Sequence, residues 1–383
     1  DDVFADHSVN RDRIFDFYAK QAAAFRGKDL TLIPGYPGLD GGRQGHWGNQ
    51  NDAVTWKDGR WGASDLGNLF SGVLRVDGMT VTKAVWVRKG DEAAAFDPEK
   101  LSFRARWRGG FVKLSSARHG FARGPAVGGK TFAQEKNSVL PKDARYLGFY
   151  RHGEEVIFAY EQEGRRRLMS AWQTDEAILE KLTQGGPKRW SKELTTPITR
   201  GEQKPFAVDT IGVPFENPYG ALFFISGIDF LPDGAAAVST MTGEVWLVQG
   251  LAGDRAVWRR YATGLHQALG VKVVDGKVHV LGRDQITRLH DLNGDGEADY
   301  HECLFNRYAT SPGGHDFVVG LERDDTGRFY VASGNQGLLR LTLPDKVEVL
   351  ATGLRNSNGV GVSADGRFIT SSVQEGDWTP SSA

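Results

Sequence analysis

From about residue 30 onward the chain is built of short runs in which apolar and polar positions alternate, separated by turn residues. VTWKDGRWG, MTVTKAVWVRKGDE, KLSFRARWRGGFVKLSS and YLGFYRHGEEVIFAYEQEG read as strands and hairpins, with DG, GD, GG and HGEE at the turns. In FRARWRGGFVKL, apolar and basic residues alternate, as expected for a strand with one wet face. The segment before them has another period. Between Val9 and Arg26, the residues Ile14, Phe15, Tyr18, Ala22 and Phe25 recur at helical spacing, with Ser8 or Asn10 to cap the start and Gly27 to end it. These patterns predict a leading helix within 1–28 and an antiparallel β-sandwich-like domain over 29–184, with a short helix from Asp175 to Leu182. Residues 185–205, rich in charge, Thr, Pro and Gly, are expected to be a linker.

Over 206–383 a repeat emerges. GIDFLPDGAAAVSTMTGEVWLV, GVKVVDGKVHVLGRDQITRL, GLERDDTGRFYVASGNQGLLRL and GVGVSADGRFITSSVQEGDW start at Gly227, Gly270, Gly320 and Gly359, spaced 43, 50 and 39 residues apart. Each has a glycine, an apolar strand, a turn ending in glycine and a second strand. Such periods match propeller blades of four strands. A parallel βαβ arrangement is excluded, because no helical pattern of crossover length separates the strands. The expected fold is therefore all-β, a sandwich-like domain followed by a partial propeller of about four blades. Four blades do not close a ring, and an open stack would leave a bare sheet edge. The natural protein is expected to continue beyond Ala383, or a partner to complete the ring.

Composition adds little against this. The 49 glycines and 11% aromatic residues suit tight β-turns and β-cores. A net charge of −1 favours neither nucleic acid nor an anionic membrane as partner. The single cysteine, Cys303, excludes an intrachain disulfide, and no apolar run is long enough for a membrane-spanning helix. The opening DDVFADHSVN has neither a basic nor an apolar leader region, so either the chain is cytosolic or a signal peptide has been removed.

DLNGDGEADYHE, Asp291 to Glu302, follows the twelve-position calcium-loop pattern. Asp291, Asn293 and Asp295 stand at positions one, three and five. Gly296 allows the turn at six, Glu297 offers its backbone carbonyl at seven, Asp299 acts through water, and Glu302 binds bidentately at twelve. A structural ion is expected, in a loop between blades rather than between two long helices.

GGHDFVVGLERDDTGRFYVASGNQG resembles the histidine-bearing blade of soluble PQQ-dependent glucose and aldose sugar dehydrogenases, and ATGLRNSNGVGVSADGRFITSSVQEGDW resembles the blade that follows it. GHWGNQNDAVTWKDGRWGASDLGNLFSGV, YLGFYRHGEEVIFAYE, PFENPYGALFFISGIDFLPDG, LGRDQITRLHDLNGDGEAD and TSPGGHDFVVGL look like the PVC-type haem-binding proteins of planctomycetes and verrucomicrobia. In these, a domain of unknown function precedes a dehydrogenase-like propeller, often with a downstream cytochrome c module.

The resemblance implies His315 as general base, for which an imidazole suits, and Arg355 with Asn356 on the anionic oxygens of pyrroloquinoline quinone. It places Gln374 to Gly376 at a cofactor calcium. It further implies a periplasmic or secreted oxidoreductase acting on a small sugar or alcohol. No CxxCH occurs, so any c-type haem belongs to a region beyond this chain. Two other functions compete. One is a non-catalytic propeller that binds carbohydrate or protein and is braced by calcium. The other is a hydrolase or lyase activity of the N-terminal domain, with carboxylates such as Asp52, Asp65 or Glu154. His46, His119 and His152 are too far apart in sequence to read as a metal set, and His266 is expected near the central channel.

Overall fold

The computed structural model describes residues 62, 64–114, 125–202, 207–313, 316–354 and 357–373. The helix expected between Val9 and Arg26 lies outside them. Among the described residues the chain is all-β apart from one short helix, Glu176–Lys181, capped by the Asp175 carboxylate on the Ala177 and Ile178 amides. No helix among them is long and apolar enough to cross a membrane.

The N-terminal part is two packed sheets. Leu69–Val76, Met79–Lys89, Glu92–Asp97, Ser102–Arg108 and Lys130–Gln134 form an antiparallel five-stranded sheet. Its first hairpin turns on Asp77 and Gly78, both with positive φ, the conformation that a two-residue turn needs to match strand twist. The period-two pattern places Val85, Val87, Ala94 and Phe96 on one face, against Phe149, Val156 and Phe158 of the second layer. Phe96 stacks on Phe158 with ring centroids 4.0 Å apart. The other face is apolar too. There the sheet curls over Trp86 and Trp107, whose rings meet edge to face at 5.3 Å. Both faces being buried explains the unbroken apolar stretches AVWV in the second strand and AAAF in the third.

The second layer, Ala144–His152, Glu155–Gln162 and Arg165–Met169, does not stop at a domain boundary. Ala144–His152 pairs with Tyr300–Phe305 in the C-terminal part, which makes one seven-stranded sheet. The segment expected as a linker is structured as well. Leu194–Thr199 pairs with Arg255–Ala262 and widens the first blade's sheet.

The repeats are propeller blades. Blade 1 comprises Ile225–Phe230, Ala236–Thr240, Val245–Gln249 and Arg255–Ala262; blade 2 comprises Gly270–Val274, Lys277–Leu281, Ile286–His290 and Tyr300–Phe305. Blade 3 is Val318–Arg323, Phe329–Ser333, Gly337–Thr342 and Lys346–Ala351, and Ser357–Val362 with Ile369–Val373 begins blade 4. The first strands of successive blades touch one another in chain order, so they form the inner wall. Each pair of neighbours encloses its own core. Ala237 and Val245 meet Val271 and Val280, Leu281 and Phe305 meet Leu321 and Val331, and Ala332 and Leu338 meet Val360 and Ile369. Fully burying one such Val, Leu or Phe contributes about 1.5–3 kcal/mol, so each inter-blade face adds to stability alongside the N-terminal cores.

The remaining face of blade 1 is closed by the incoming chain, with Trp190, Ile198, Tyr219 and Phe223 over Trp246 and Trp258. Arg260, 1% exposed, pairs there with Glu244 and lies 4.3 Å from the Trp190 ring centroid. A buried cation needs such a partner and such a ring.

Candidate functional site

The acidic loop lies within blade 2, between its third and fourth strands, and not between blades as the motif alone suggested. Gly294 and Gly296 turn it with φ of 76° and 87°. Its polar side chains first satisfy its own backbone. Asp291 accepts from the amides of Gly294 (2.7 Å), Asp295 (3.2 Å) and Gly296 (2.8 Å); Asn293 accepts from Asp295 (3.1 Å), and Asp295 from Glu297 (2.9 Å). Asp299 closes the loop on the Leu292 amide at 2.9 Å and on the Gly186 amide at 2.7 Å.

Glu302 is not brought to this loop. Tyr300 already pairs with His290 and with Tyr150, so position twelve falls on a strand, two residues along. There Glu302 pairs with Arg288 at 2.7 Å and lies 2.6 Å from His290 Nε2. Burial pushes its carboxyl up, but hydrogen bonds from His290 and Arg288 outweigh this and hold it below the ordinary range. The bidentate role expected for Glu302 is therefore corrected: a cross-strand ion pair occupies it.

Among the described residues no three His, Cys, Asp or Glu side chains converge as a metal-ligating group. The oxygens still fit a hard cation in kind. An ionised carboxylate has about four lone-pair sites, so Asp291, Asp295 and Asp299 keep capacity beyond the amides they accept. Asn293 and the Glu297 carbonyl complete the oxygen donors at positions one to nine. Burial raises the Asp299 carboxyl, its bonds to Gly186 and Leu292 offset this, and the Asp295 and Asp291 charges raise it further. A bound cation would relieve that repulsion.

The loop is also a junction. The Glu297 side chain accepts from the amides of Arg189 and Trp190, each at 2.9 Å, and forms a buried pair with Arg151. Burial, followed by the Arg189 charge, lowers Arg151 to about 10, so it stays cationic at neutral pH. Asn293 donates to the Gly186 carbonyl at 2.7 Å, Lys188 to that of Asp295 at 2.9 Å, and the Ala298 amide to Tyr261 of blade 1 at 2.8 Å. The N-terminal sheet, the 185–190 segment and two blades all meet on this loop.

A second polar cluster sits where the innermost strands begin. Arg283, 2% exposed, donates to Gln267 at 3.0 Å and to the carbonyls of Ser311 at 3.1 Å and Gly313 at 2.7 Å. Arg75 holds the Pro312 carbonyl between them, Thr310 donates to the Arg283 carbonyl, and Asp316 accepts from the Ser311 amide at 2.7 Å. His266 is buried at 3%; burial, then the Arg283 and Lys83 charges, push it well below its ordinary value and keep it neutral. Burial drives Asp284 up to about 7. His315, the expected base, falls between Gly313 and Asp316 and lies outside the described residues, as do Arg355, Asn356, Gln374 and Gly376.

Reading single blades missed Arg283 and Asp316. The repeat register carried a signal: His266 and Asp316 each stand four residues ahead of their blade's inner glycine, as Arg355 does ahead of Gly359.

Comparisons with known proteins give one family model and distant structural likenesses. A family model described as a domain of unknown function, DUF6797, matches residues 94–168. No curated protein matches the chain. Virginiamycin B lyase from Staphylococcus aureus is 12% identical, with 82% of this chain and 84% of that one covered and a TM-score of 0.31. The propeller of Dos1 is 9% identical over 75% and 71%, with a TM-score of 0.28. YCF48, in a complex with D1 peptide, is 11% identical over 81% and 89%, with a TM-score of 0.30. At these TM-scores the likenesses carry no argument, and the propeller class of this chain rests on the strand pairing above.

Proposed function

We propose that the chain is the propeller-bearing part of a periplasmic or secreted oxidoreductase of the sugar or alcohol dehydrogenase type, delivering electrons to a cytochrome c module outside this chain. The observation that supports it is the anchoring of the backbone on both sides of position 315. Arg283 grips the Ser311 and Gly313 carbonyls, and Asp316 caps the Ser311 amide. A general base is effective only when held within hydrogen-bond reach of the proton it takes. The resemblance assigns the general base to His315, between these anchored residues in the sequence, and an imidazole suits removal of a substrate hydroxyl proton.

The acceptor in this reading is pyrroloquinoline quinone, which supplies the hydride-accepting carbonyl when bound. Arg355, Asn356, Gln374 and Gly376 are its candidate holders by resemblance, and no step is derived through them. Calcium in the 291–299 loop acts as a brace. A second reading, a non-catalytic carbohydrate- or protein-binding propeller, draws support from one observation: the hydrogen bonds that leave that loop tie structural segments together.

The test is dye-linked oxidation across a panel of sugars and alcohols, with the quinone and calcium supplied. Turnover supports the dehydrogenase. Carbohydrate binding without turnover, insensitive to His315→Ala, supports the second reading and overturns the first.

A further inference from the structure

A cavity of about 270 Å³ lies in the seam between the N-terminal sheets and blades 2 and 3. Its wall includes Lys83, Glu99, Arg145, Tyr146, Arg307 and Gln336, with apolar surface from Leu140 and Pro98. It shares no residue with the acidic loop or with the 311–316 segment.

The cavity is rich in donors and poor in acceptors. Lys83, 3% exposed, donates to the Asn306 and Tyr308 carbonyls at 2.7 and 2.9 Å and pairs with Glu99 at 3.1 Å, which neutralises the one carboxylate in the wall. Arg145 is left with a loose pair to half-exposed Glu161 at 3.6 Å, and Arg307 carries no ion pair among the described residues. Gln336 accepts the Ala309 amide at 2.6 Å through its oxygen, which leaves its amide nitrogen without an acceptor among the described residues.

Tyr146 is the second, independent sign. Its side chain is 4% exposed and its hydroxyl has no hydrogen-bond partner among the described residues. Native proteins rarely leave a buried hydroxyl unpaired, and one that lines a cavity is a ready donor to whatever occupies it. Burial, above all, raises its pKa well above the usual phenol value, so it stays an O–H donor.

We propose that this cavity binds a small organic anion, a carboxylate or phosphate monoester on a monosaccharide-sized body. Arg145 and Arg307 meet the anionic group, for which guanidinium forks are suited, and the Tyr146 hydroxyl and the Gln336 amide donate to the remaining oxygens. The volume lies near the low end for small-molecule sites, about 300–1,000 Å³. Because the wall combines the N-terminal sheet with two blades, the ligand also bridges those parts. This proposal does not depend on the dehydrogenase reading.

The test is calorimetric titration of the purified chain with glucuronate, glucose 6-phosphate, inorganic phosphate and neutral glucose. At least one sugar anion binds and glucose does not; preference for glucuronate or for glucose 6-phosphate identifies the anionic group. Arg307→Ala, an exposed change, and Arg145→Ala each weaken binding about tenfold or more, and Tyr146→Phe weakens it severalfold. Tyr146→Phe leaves the melting temperature unchanged or raised, because it removes an unpaired hydroxyl. The proposal is overturned if neither sugar anion binds, if glucose or inorganic phosphate binds as tightly as the sugar anions, or if both arginine variants retain full affinity.

Discussion

The α-carbon of Gly270 sits so close to blade 3 that a Cβ there would lie 2.9 Å from the backbone nitrogen of Leu321. The relationship repeats around the inner wall. A Cβ at Gly227 would lie 3.0 Å from the Val271 nitrogen, and one at Gly320 would lie 2.7 Å from the Val360 nitrogen. Blades arranged about an axis converge where their first strands meet, and only a residue without a side chain fits. Gly320→Ala combines this clash with a φ of +68°. The expected loss is about 2–5 kcal/mol, from overpacking and left-handed strain together. Gly78→Ala, at a similar φ but with open space around it, should lose only about 1–2 kcal/mol. Chemical denaturation of the two variants measures the difference.

Arg151 and Glu297 form the buried pair that ties the N-terminal sheet to the acidic loop. Removing one partner leaves an uncompensated buried charge, so Arg151→Met should cost about 3–5 kcal/mol. The double variant Arg151→Met with Glu297→Gln should recover part of that loss. Urea unfolding of the single and double variants checks both statements.

In the proposed calcium loop, titration should separate the loop's ligands from its neighbour. Asp295→Asn should weaken calcium binding about tenfold or more by removing a formal charge from the site, whereas Glu302→Gln should leave it nearly unchanged, since Glu302 serves Arg288 and His290. At about a hundred times the dissociation constant, calcium should stabilise the chain by about 2.7 kcal/mol, and chelation should reverse this. Titration calorimetry and thermal melts in calcium and in chelator read both effects.

Acid should destabilise the fold through buried neutral histidines. Burial pulls His279 down to about 4, against about 6.5 in an unfolded chain. Between those values the unfolded state binds the extra proton, so stability is full above about pH 6.5 and falls as pH drops towards about 4, by about 1.4 kcal/mol per pH unit for one such group. Asp284 acts in the opposite direction: its carboxyl, raised to about 7 by burial, favours the folded state at low pH. His279→Phe, beside Phe329, should flatten the pH dependence between 4 and 6.5. Unfolding midpoints measured across that window test it.

Much of this fold was legible in the sequence because local chemistry decides it. The DG turns and the helix-capping Asp175 act on their own neighbourhoods, and the inner glycines, though needed for contact with the next blade, recur with the repeat and so mark its period. The placement of the acidic loop was not legible. Whether residue 302 closes a metal site depends on whether Tyr300 enters a strand, and that depends on pairing with Tyr150, far away in sequence. Leu194–Thr199 escaped notice for a related reason. Its LTTPIT carries Pro197, which reads as a linker residue but is tolerated near a sheet edge. Arg151, Arg260 and Arg283 look like surface residues until tertiary structure supplies their carboxylates, rings and carbonyls.

The most direct test of the functional account is the rate of dye reduction by the purified protein with sugar, calcium and pyrroloquinoline quinone, compared with its His315→Ala variant. The account predicts measurable sugar oxidation that falls by about a hundredfold or more when the imidazole is removed, with the fold unchanged by circular dichroism. Equal rates in the two proteins, or no oxidation by either, would contradict it.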